Sequence, residues 1–367
     1  MQIVFLSNYM NHHQRPFVEH LAKCGCEVIF VAHEKMSEER RKMGYSDSVE
    51  NVRYVEYDET TAEEVKALIM AADAVIFGWK PKELFHQRVR SGKLTFNYSE
   101  RLFKKGEWQK YSPIHHFKLR KKYFFDKKNP PYLLSAGRYA AGDYLKLGYP
   151  KNRILKWGYF PPLTDASLPS LLESKEENSI LWVARFMELK HPEYVVELGR
   201  YLKEKGLSFH IKMVGVGPLL EETRQRISTY GLCDSITVID GLPPAEVRKE
   251  FDRAQIALLT SDRREGWGAV INEAMNSACA TVGSSAVGST TYLIKDGVNG
   301  RHYNGKKEQL FSVVEELLRD PEQCVRLGSR AYETITELWN YQVAAERMIA
   351  FVAEQRVAEK DGPLSRD

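Results

Sequence analysis

The chain has 367 residues, of which 43% are hydrophobic and 28% charged, and it carries a net charge of +4. That length is too great for one ordinary α/β domain and suits two, with apolar side chains enough for two cores. No stretch approaches the ~18 uninterrupted apolar residues of a membrane span, and Met1 runs straight into a strand-like QIVFL without a basic n-region or cleavage site, which predicts no signal peptide.

In chain order, β-branched and aromatic runs predict strands at 2–6 (QIVFL), 26–32 (CEVIFVA), 52–57 (VRYVEY), 73–78 (DAVIFG), 93–98 (KLTFNY) and 131–135 (PYLLS). Helix-period segments lie between them, at 15–24, 61–72 and 136–147. Strand–helix alternation with short connections argues parallel sheets covered on both faces. The pattern pauses at 157–169 (WGYFPPLTDASLP), and a charged ESKEEN follows. Two adjacent prolines can continue neither a sheet nor a helix, so the hinge between domains is expected here.

A second round of strands follows at 179–185 (SILWVAR), 209–215 (FHIKMVG), 235–241 (SITVIDG), 255–260 (QIALLT) and 280–285 (ATVGSS), separated by helices at 192–205, 218–231, 244–253 and 268–278. From Lys306 to about Arg356 the pattern is helical throughout, with a break near Trp339–Asn340. The expected architecture is α/β, with two Rossmann-like doubly wound domains. Residues 1–160 with a helix at 340–357 form one and residues 161–339 the other, with a ligand cleft at the carboxyl edges of their strands.

Charge is unevenly spread. Between Lys80 and Lys128 fifteen Lys/Arg stand against four Asp/Glu, a local +11, so the remainder sums to −7. The asymmetry predicts an electropositive face on the N-terminal half and an anionic partner for it. The basic region ends in HFKLRKKYFFDKK (116–128). Cations interleaved with aromatics suit an interfacial helix on an anionic membrane surface through residues 117–128, in preference to a solvated basic face or to nucleic acid. The five cysteines, Cys24, Cys26, Cys233, Cys279 and Cys324, fit the reduced thiols of a cytosol and show no zinc spacing.

The stretch richest in chemistry is Glu265-Gly-Trp-Gly-Ala-Val-Ile-Asn-Glu273, entered from the apolar strand QIALLT. Strand, polar loop and small-residue helix make a ligand-binding βα turn. Gly266 and Gly268 would let backbone N–H groups approach an anion at the helix start. Glu273, among Val270, Ile271, Ala274 and Met275, needs hydrogen-bond donors, which ribose or sugar hydroxyls supply. Equally, on spacing alone, Glu265 is a helix-start acid and Glu273 a solvated mid-helix residue.

At this point the chain resembles the family 4 glycosyltransferases of the GT-B fold, whose signature is Glu-x7-Glu in an EGFG-like loop. VARFMELK resembles the family's VGRLxxxK, with Arg185 and Lys190 at its spacing of five. MVGVGPLLEETR resembles its VGxGPxxxxL segment, and KDGVNG (295–300) its EDGxNG turn. The resemblance implies a retaining enzyme that moves a sugar from a nucleoside-diphosphate sugar to a glycan or lipid-linked acceptor. Surface polysaccharide or glycolipid synthesis, in the cytoplasm or at the inner face of the membrane, would be its setting. It also implies that Glu273 holds the ribose and Glu265 the transferred sugar. Arg185, Lys190 and the N–H groups of Gly266, Trp267 and Gly268 would grip the diphosphate, with Gly215 behind them. Gly241 and Leu242 would line the base pocket, and residues 340–357 would cross back to the first domain. Fixed cations and dipoles stabilise a leaving diphosphate without reorganising. The other device for that charge, a divalent metal on Asp-x-Asp, has no such motif in the chain, so no metal and no cofactor is expected.

The first half departs from the family. Its first loop, Asn8 to Gln14, has no glycine, so Asn11, His12, His13 and Gln14 would replace a backbone cradle, or else the histidines cap the helix at Arg15. No carboxylate or cysteine accompanies them as metal ligands. After KLTFNY stands Glu100, where many family members have a histidine. It either orients the acceptor hydroxyl or pairs with Arg101 or a nearby lysine. Gly215-Val-Gly217-Pro, with Asp240 further on, imitates a dinucleotide fingerprint. Leu220 occupies its third glycine position, however, and Pro218 reads as a first-turn helix proline. An epimerase or phosphorylase of the same fold, and a non-catalytic sugar-nucleotide binding module, are the alternative readings.

Overall fold

The computed structural model describes residues 1–38, 41, 46–104, 112–123 and 129–366. The chain divides into Met1–Pro162 with Leu338–Asp367, and Leu163–Glu337. The first unit carries strands β1 (Gln2–Ser7), β2 (Glu27–Ala32), β3 (Arg53–Glu56), β4 (Ala74–Phe77), β5 (Thr95–Ser99), β6 (Tyr132–Ala136) and β7 (Ile154–Trp157). Its helices are α1 (Arg15–Lys23), α2 (Ala62–Ala71), α3 (Lys82–Arg90), α4 (Pro113–Tyr123) and α5 (Arg138–Lys146). The seven strands lie in the order β3-β2-β1-β4-β5-β6-β7, with every pairing parallel. Ile3, Val4, Phe5 and Leu6 are all buried, as an uninterrupted apolar strand covered on both faces must be.

The second unit holds α6 (Leu168–Glu173), β8 (Glu176–Val183), α7 (Pro192–Glu204), β9 (His210–Val214), α8 (Leu220–Thr229), β10 (Ile236–Ile239) and α9 (Pro244–Arg253). It continues with β11 (Ala254–Leu259), α10 (Val270–Asn276), β12 (Ala280–Ser284), α11 (Gly288–Leu293), β13 (Arg301–Tyr303), α12 (Lys307–Arg319) and α13 (Pro321–Glu337). Its six parallel strands run β10-β9-β8-β11-β12-β13. Each unit is therefore a doubly wound α/β domain, the class that strand–helix alternation predicts.

Several local expectations are corrected. Trp157 does not open a hinge. It ends β7, buried edge-on against Phe17 (5.2 Å) and Phe160 (4.9 Å). The strand ILKW is too short, and too interrupted by Lys156, to show a period. The charged ESKEEN is not linker throughout, because Glu176–Asn178 belong to β8. Lys212 accounts for the charge there, reaching Glu176 at 3.3 Å and Glu250 at 3.0 Å. Pro218 lies in the turn ahead of α8, outside its first turn. The three-residue β13 escapes any periodicity, and the helical tail breaks at Asp320 as well as near Asn340.

After α13 the chain rejoins the first unit as α14 (Tyr341–Glu354). The Asn340 side-chain oxygen accepts from Gln342 N and Val343 N, both at 3.0 Å, and caps the helix. Phe351 then packs on Phe96 (5.5 Å) and Tyr132 (4.9 Å). Beyond α14, Leu364 N donates to Lys156 O and Lys156 N to Ser365 O, both at 2.8 Å. This antiparallel addition covers the free edge of β7, which would otherwise invite pairing with another chain.

The basic region is less of a surface feature than its count suggests. Arg88 is 0% exposed. Its guanidinium donates to the carbonyls of Ile69 (2.8 Å), Ala72 (2.9 Å) and Leu94 (3.0 Å), satisfying the C-terminal end of α2. Burial pulls its pKa down to about 10. Arg101 is also buried, with its guanidinium 4.8 Å from the Tyr139 ring centre. Both cations are interior structural groups. Residues 124–128, including Lys127 and Lys128, lie outside the described residues.

Candidate functional site

In the second unit the strand order reverses between β8 and β11. Ligands of doubly wound sheets bind at such a switch point, beyond the carboxyl ends of the strands. Arg185 and Lys190 follow β8, Gly215 follows β9, Gly241 and Leu242 follow β10, and Glu265 to Gly268 follow β11. All therefore leave the sheet at its carboxyl edge.

Backbone hydrogen bonds hold these loops together. Ala184 N donates to Val214 O (3.1 Å), Phe186 N to Val216 O (2.9 Å) and Leu219 N to Phe186 O (2.9 Å). The two loops approach so closely that a Cβ on Gly215 would fall on the Ala184 carbonyl, and one on Gly217 on the backbone of Phe186. Both glycines have φ near +150° (151° and 153°), where a side chain is strained in any case. The GVG sequence is thus needed for loop–loop contact around Arg185. Its resemblance to a dinucleotide fingerprint is incidental, and Asp240 is paired with Arg224.

Lys190 ends a 3-10 turn over Glu188–Lys190. Its carbonyl accepts from the Thr260 hydroxyl, which in turn accepts from Trp182 Nε1 at 2.8 Å, and Asp262 N donates to Leu189 O at 2.9 Å. The turn is thereby fixed to the end of β11, and Lys190 Nζ pairs with the Glu265 carboxylate, the two side chains being 16% and 18% exposed. Arg185 is exposed and, among the described residues, makes no hydrogen bond or ion pair. An unpaired arginine on the loop that also carries the lysine of a half-buried Lys–Glu pair is an arrangement open to an anion.

Trp267 is 1% exposed and donates its indole N–H to Asn272 Oδ1 at 2.8 Å. Its side chain anchors the loop, so only its backbone faces a ligand. Gly268 (φ +83°) sits where a Cβ would meet Val287 and Leu259. α10 begins at Val270 and is seven residues long, later and shorter than the pattern predicts. Glu273 is half-buried on it. Gly241 is exposed, and Leu242 packs against the cluster that contains Leu181 and Val214.

In the first unit, Asn11 organises the loop after β1. Its Oδ1 accepts from His13 N (3.1 Å) and Gln14 N (3.2 Å), and its Nδ2 donates to Gln14 Oε1 (2.9 Å). Asn11, and not the histidines, caps the turn into α1. The His12 and His13 rings lie 3.7 Å apart, and His13 stacks on Tyr159 at 4.7 Å. Tyr159 donates its hydroxyl to Glu100 Oε1 at 2.5 Å, and Glu100 also pairs with Lys104. His13, Tyr159 and Glu100 therefore form one continuous cluster. Tyr159 is absent from the sequence reading because nothing local marks it.

Lys80, beyond the end of β4, counts only toward the local charge in the sequence and is set apart by the fold. Its Nζ donates to Tyr98 O at 3.0 Å and lies 5.7 Å from the Tyr123 ring centre. Burial, with Lys122 nearby, lowers its pKa to about 7.

Residues 164–334 match the family model described as glycosyl transferases group 1. The chain is 28% identical to the amylovoran biosynthesis glycosyltransferase AmsK of Erwinia amylovora, over 61% of this chain and 56% of that protein. It is 22% identical to the GDP-mannose-dependent alpha-(1-6)-phosphatidylinositol monomannoside mannosyltransferase of Mycobacterium tuberculosis (strain ATCC 25618 / H37Rv), over 59% and 57%. The chain spans between 30% and 57% of the length of the curated relatives it matches. Among solved structures, Anabaena Alr3699/HepE in complex with UDP superposes with a TM-score of 0.72 at 14% identity, covering 97% of this chain and 100% of that one. The apo lipopolysaccharide outer core galactosyltransferase WaaB superposes at 0.65 and 15%, covering 97% and 99%. At these identities the likeness establishes the shared fold.

Proposed function

We propose, from the match of residues 164–334 to the model of glycosyl transferases group 1, that the protein is a retaining glycosyltransferase, moving a sugar from a nucleoside-diphosphate sugar to a glycan or lipid-linked acceptor in surface polysaccharide or glycolipid synthesis. The observation that carries this reading is the cationic group at the switch point, with Arg185 unpaired and Lys190 held against Glu265. The names of AmsK and WaaB, and the UDP held by HepE, support the same substrate class.

In this reading Arg185, Lys190 and the N–H groups of Gly266 to Gly268 hold the diphosphate. Glu273 takes the ribose hydroxyls, and Gly241 and Leu242 flank the base. When the donor arrives, its phosphates draw Lys190 Nζ, and Glu265 turns from its lysine to the hydroxyls of the transferred sugar. As the glycosidic bond breaks, charge accumulates on the leaving phosphate between groups already oriented toward it. The leaving oxygen takes the acceptor's proton on the same face, giving retention. His13, Tyr159 and Glu100 contact the acceptor.

The reading is tested by thermal shift with UDP, GDP and their sugars, since a bound ligand raises apparent stability by mass action. A nucleotide that raises the melting temperature, and whose sugar turns over, supports it. No response to any of them refutes it. Because Arg185, Lys190 and loop amides supply the charge, EDTA is expected to leave turnover nearly unchanged. A large loss restored by Mg2+ or Mn2+ would overturn the metal-free mechanism.

The acceptor side includes an anionic membrane surface met by α4. Ile114 and Phe117 are 71% and 70% exposed on this helix, with Lys118, Lys121 and Lys122 also exposed. Ile114, Phe117, Lys118 and Lys121 share one face at helical spacing. Among the described residues no helix is long and apolar enough to cross a membrane, so α4 would lie on the surface. Binding to phosphatidylserine vesicles is expected to weaken with salt. Changing Lys118, Lys121 and Lys122 to glutamine should reduce it about fivefold per charge, and Phe117→Ser should reduce it further. Unchanged binding by these variants would leave α4 a solvated face.

A further inference from the structure

His191 follows Lys190 directly and occupies the left-handed region at φ 49°, ψ 55°, as the residue that opens α7. Its ring stacks on Tyr194 at 4.6 Å. Nδ1 lies 2.7 Å from Glu193 Oε1, and Nε2 lies 3.4 Å from Asp262 Oδ2. A neutral imidazole donates through one nitrogen only, whereas the imidazolium donates through both. The geometry therefore fits the charged form, with one carboxylate at each end.

The two carboxylates belong to different elements. Glu193 sits on α7, and Asp262 opens the loop that carries Glu265 to Gly268. We propose that His191 is a positioning residue whose imidazolium ties the Lys190 turn to the loop after β11 and so sets the spacing of the diphosphate-holding groups. This rests on the donor reading above. Two ties to main-chain carbonyls, Thr260 to Lys190 O and Asp262 N to Leu189 O, and two ion pairs, Lys190 with Glu265 and Arg264 with Glu188, join the same segments. The two main-chain ties carry no titratable group.

The charged groups around the ring decide the direction of the pH effect. From α7 come Glu193 and Tyr194. From the loop come Asp262 and Arg264, the latter held by Asp262 (2.8 Å) and Glu188 (2.9 Å). On its own turn lie Glu188 and Lys190, and Arg226 of α8 faces Glu193. The bond to Glu193 raises the His191 pKa above its ordinary value of 6.5, against burial, with Asp262 adding to the rise. Burial pushes the Asp262 carboxyl up, but hydrogen bonds from Arg264 outweigh it and hold the group low. A raised histidine pKa means that the tie is complete below the ordinary value and is lost as pH rises through the raised one.

The test separates imidazole from backbone. His191→Gly keeps the left-handed conformation at no steric cost, and His191→Asn keeps it together with a polar side chain. Neither variant can titrate. UDP and GDP binding would be measured by calorimetry from pH 6 to 9 for the full-length wild type and both variants. Ionisation of the nucleotide phosphates is common to all three and cancels in the comparison. Across this range wild-type affinity for whichever nucleotide binds is expected to fall about tenfold relative to His191→Asn, the size of one charge-assisted hydrogen bond. His191→Gly should follow His191→Asn, with both weak throughout. Parallel pH profiles for wild type and variants would overturn the role of His191 while leaving the donor reading intact. Failure of the wild type to bind either nucleotide at any pH would overturn both.

Discussion

Replacing Glu265 by alanine is expected to lower turnover by about two to three decades while nucleoside diphosphate affinity stays within a few-fold. The carboxylate is proposed to meet the transferred sugar, so its loss is felt as charge develops and less in binding the bare diphosphate. Its present partner sharpens the expectation. Lys190 Nζ is held by Glu265, so the alanine variant frees that lysine for the phosphates, and any change in diphosphate affinity should be upward. Glu273→Ala should behave in the opposite way. Losing a carboxylate that accepts ribose hydroxyls costs roughly 1.5–3 kcal/mol, about one to two decades in affinity for diphosphate and sugar nucleotide alike. Titration with UDP or GDP beside steady-state kinetics on both variants decides the matter. Normal diphosphate binding by Glu273→Ala, with weakened binding by Glu265→Ala, would mean the two roles are exchanged.

Gly215→Ala should be the most damaging single methyl in the second unit. The added Cβ would fall on the Ala184 carbonyl, a backbone atom that cannot swing aside, at a φ of 151°. To relieve the clash the loop after β8 must separate from the loop after β9, breaking the Ala184–Val214 and Phe186–Val216 hydrogen bonds. We expect a loss of about 2–4 kcal/mol from strain and broken backbone contacts. At roughly 2–4 °C per kcal/mol for a unit of this size, that lowers its melting temperature by about 5–15 °C. Arg185 moves with its loop, so diphosphate binding should vanish as well. Gly206→Ala is the matched control. Its φ of +68° is also positive, but nothing lies within 4 Å of its Cβ position. That change should cost only about 1 kcal/mol, the left-handed penalty. Equal melting of the two variants would show that conformational strain alone, and not loop–loop approach, explains the glycine.

Features governed by short-range pattern were legible in the sequence by itself. Apolar runs alternating with helical periods specified two parallel α/β sheets, because a strand buried on both faces must be apolar along its whole length. Arg185 with Lys190, and Glu265 with Glu273, stand close enough in sequence to be read as motifs. Tertiary structure alone decided what those residues touch. Lys190 meets Glu265 and His191 meets Asp262 across more than seventy positions, pairings created by the adjacency of β8 and β11. Arg88 counts as surface charge in the sequence and is an interior cation on three carbonyls in the fold. Lys80 is set beside Tyr98 and Tyr123 only when β4, β5 and α4 assemble. The short β7, and the segment beyond α14 that covers its edge, carry too few residues for any period and exist because backbone groups at a sheet edge need partners. Periodicity reports which face of an element is apolar, whereas the burial and pairing of a charge depend on neighbours that are distant in sequence and meet only on folding.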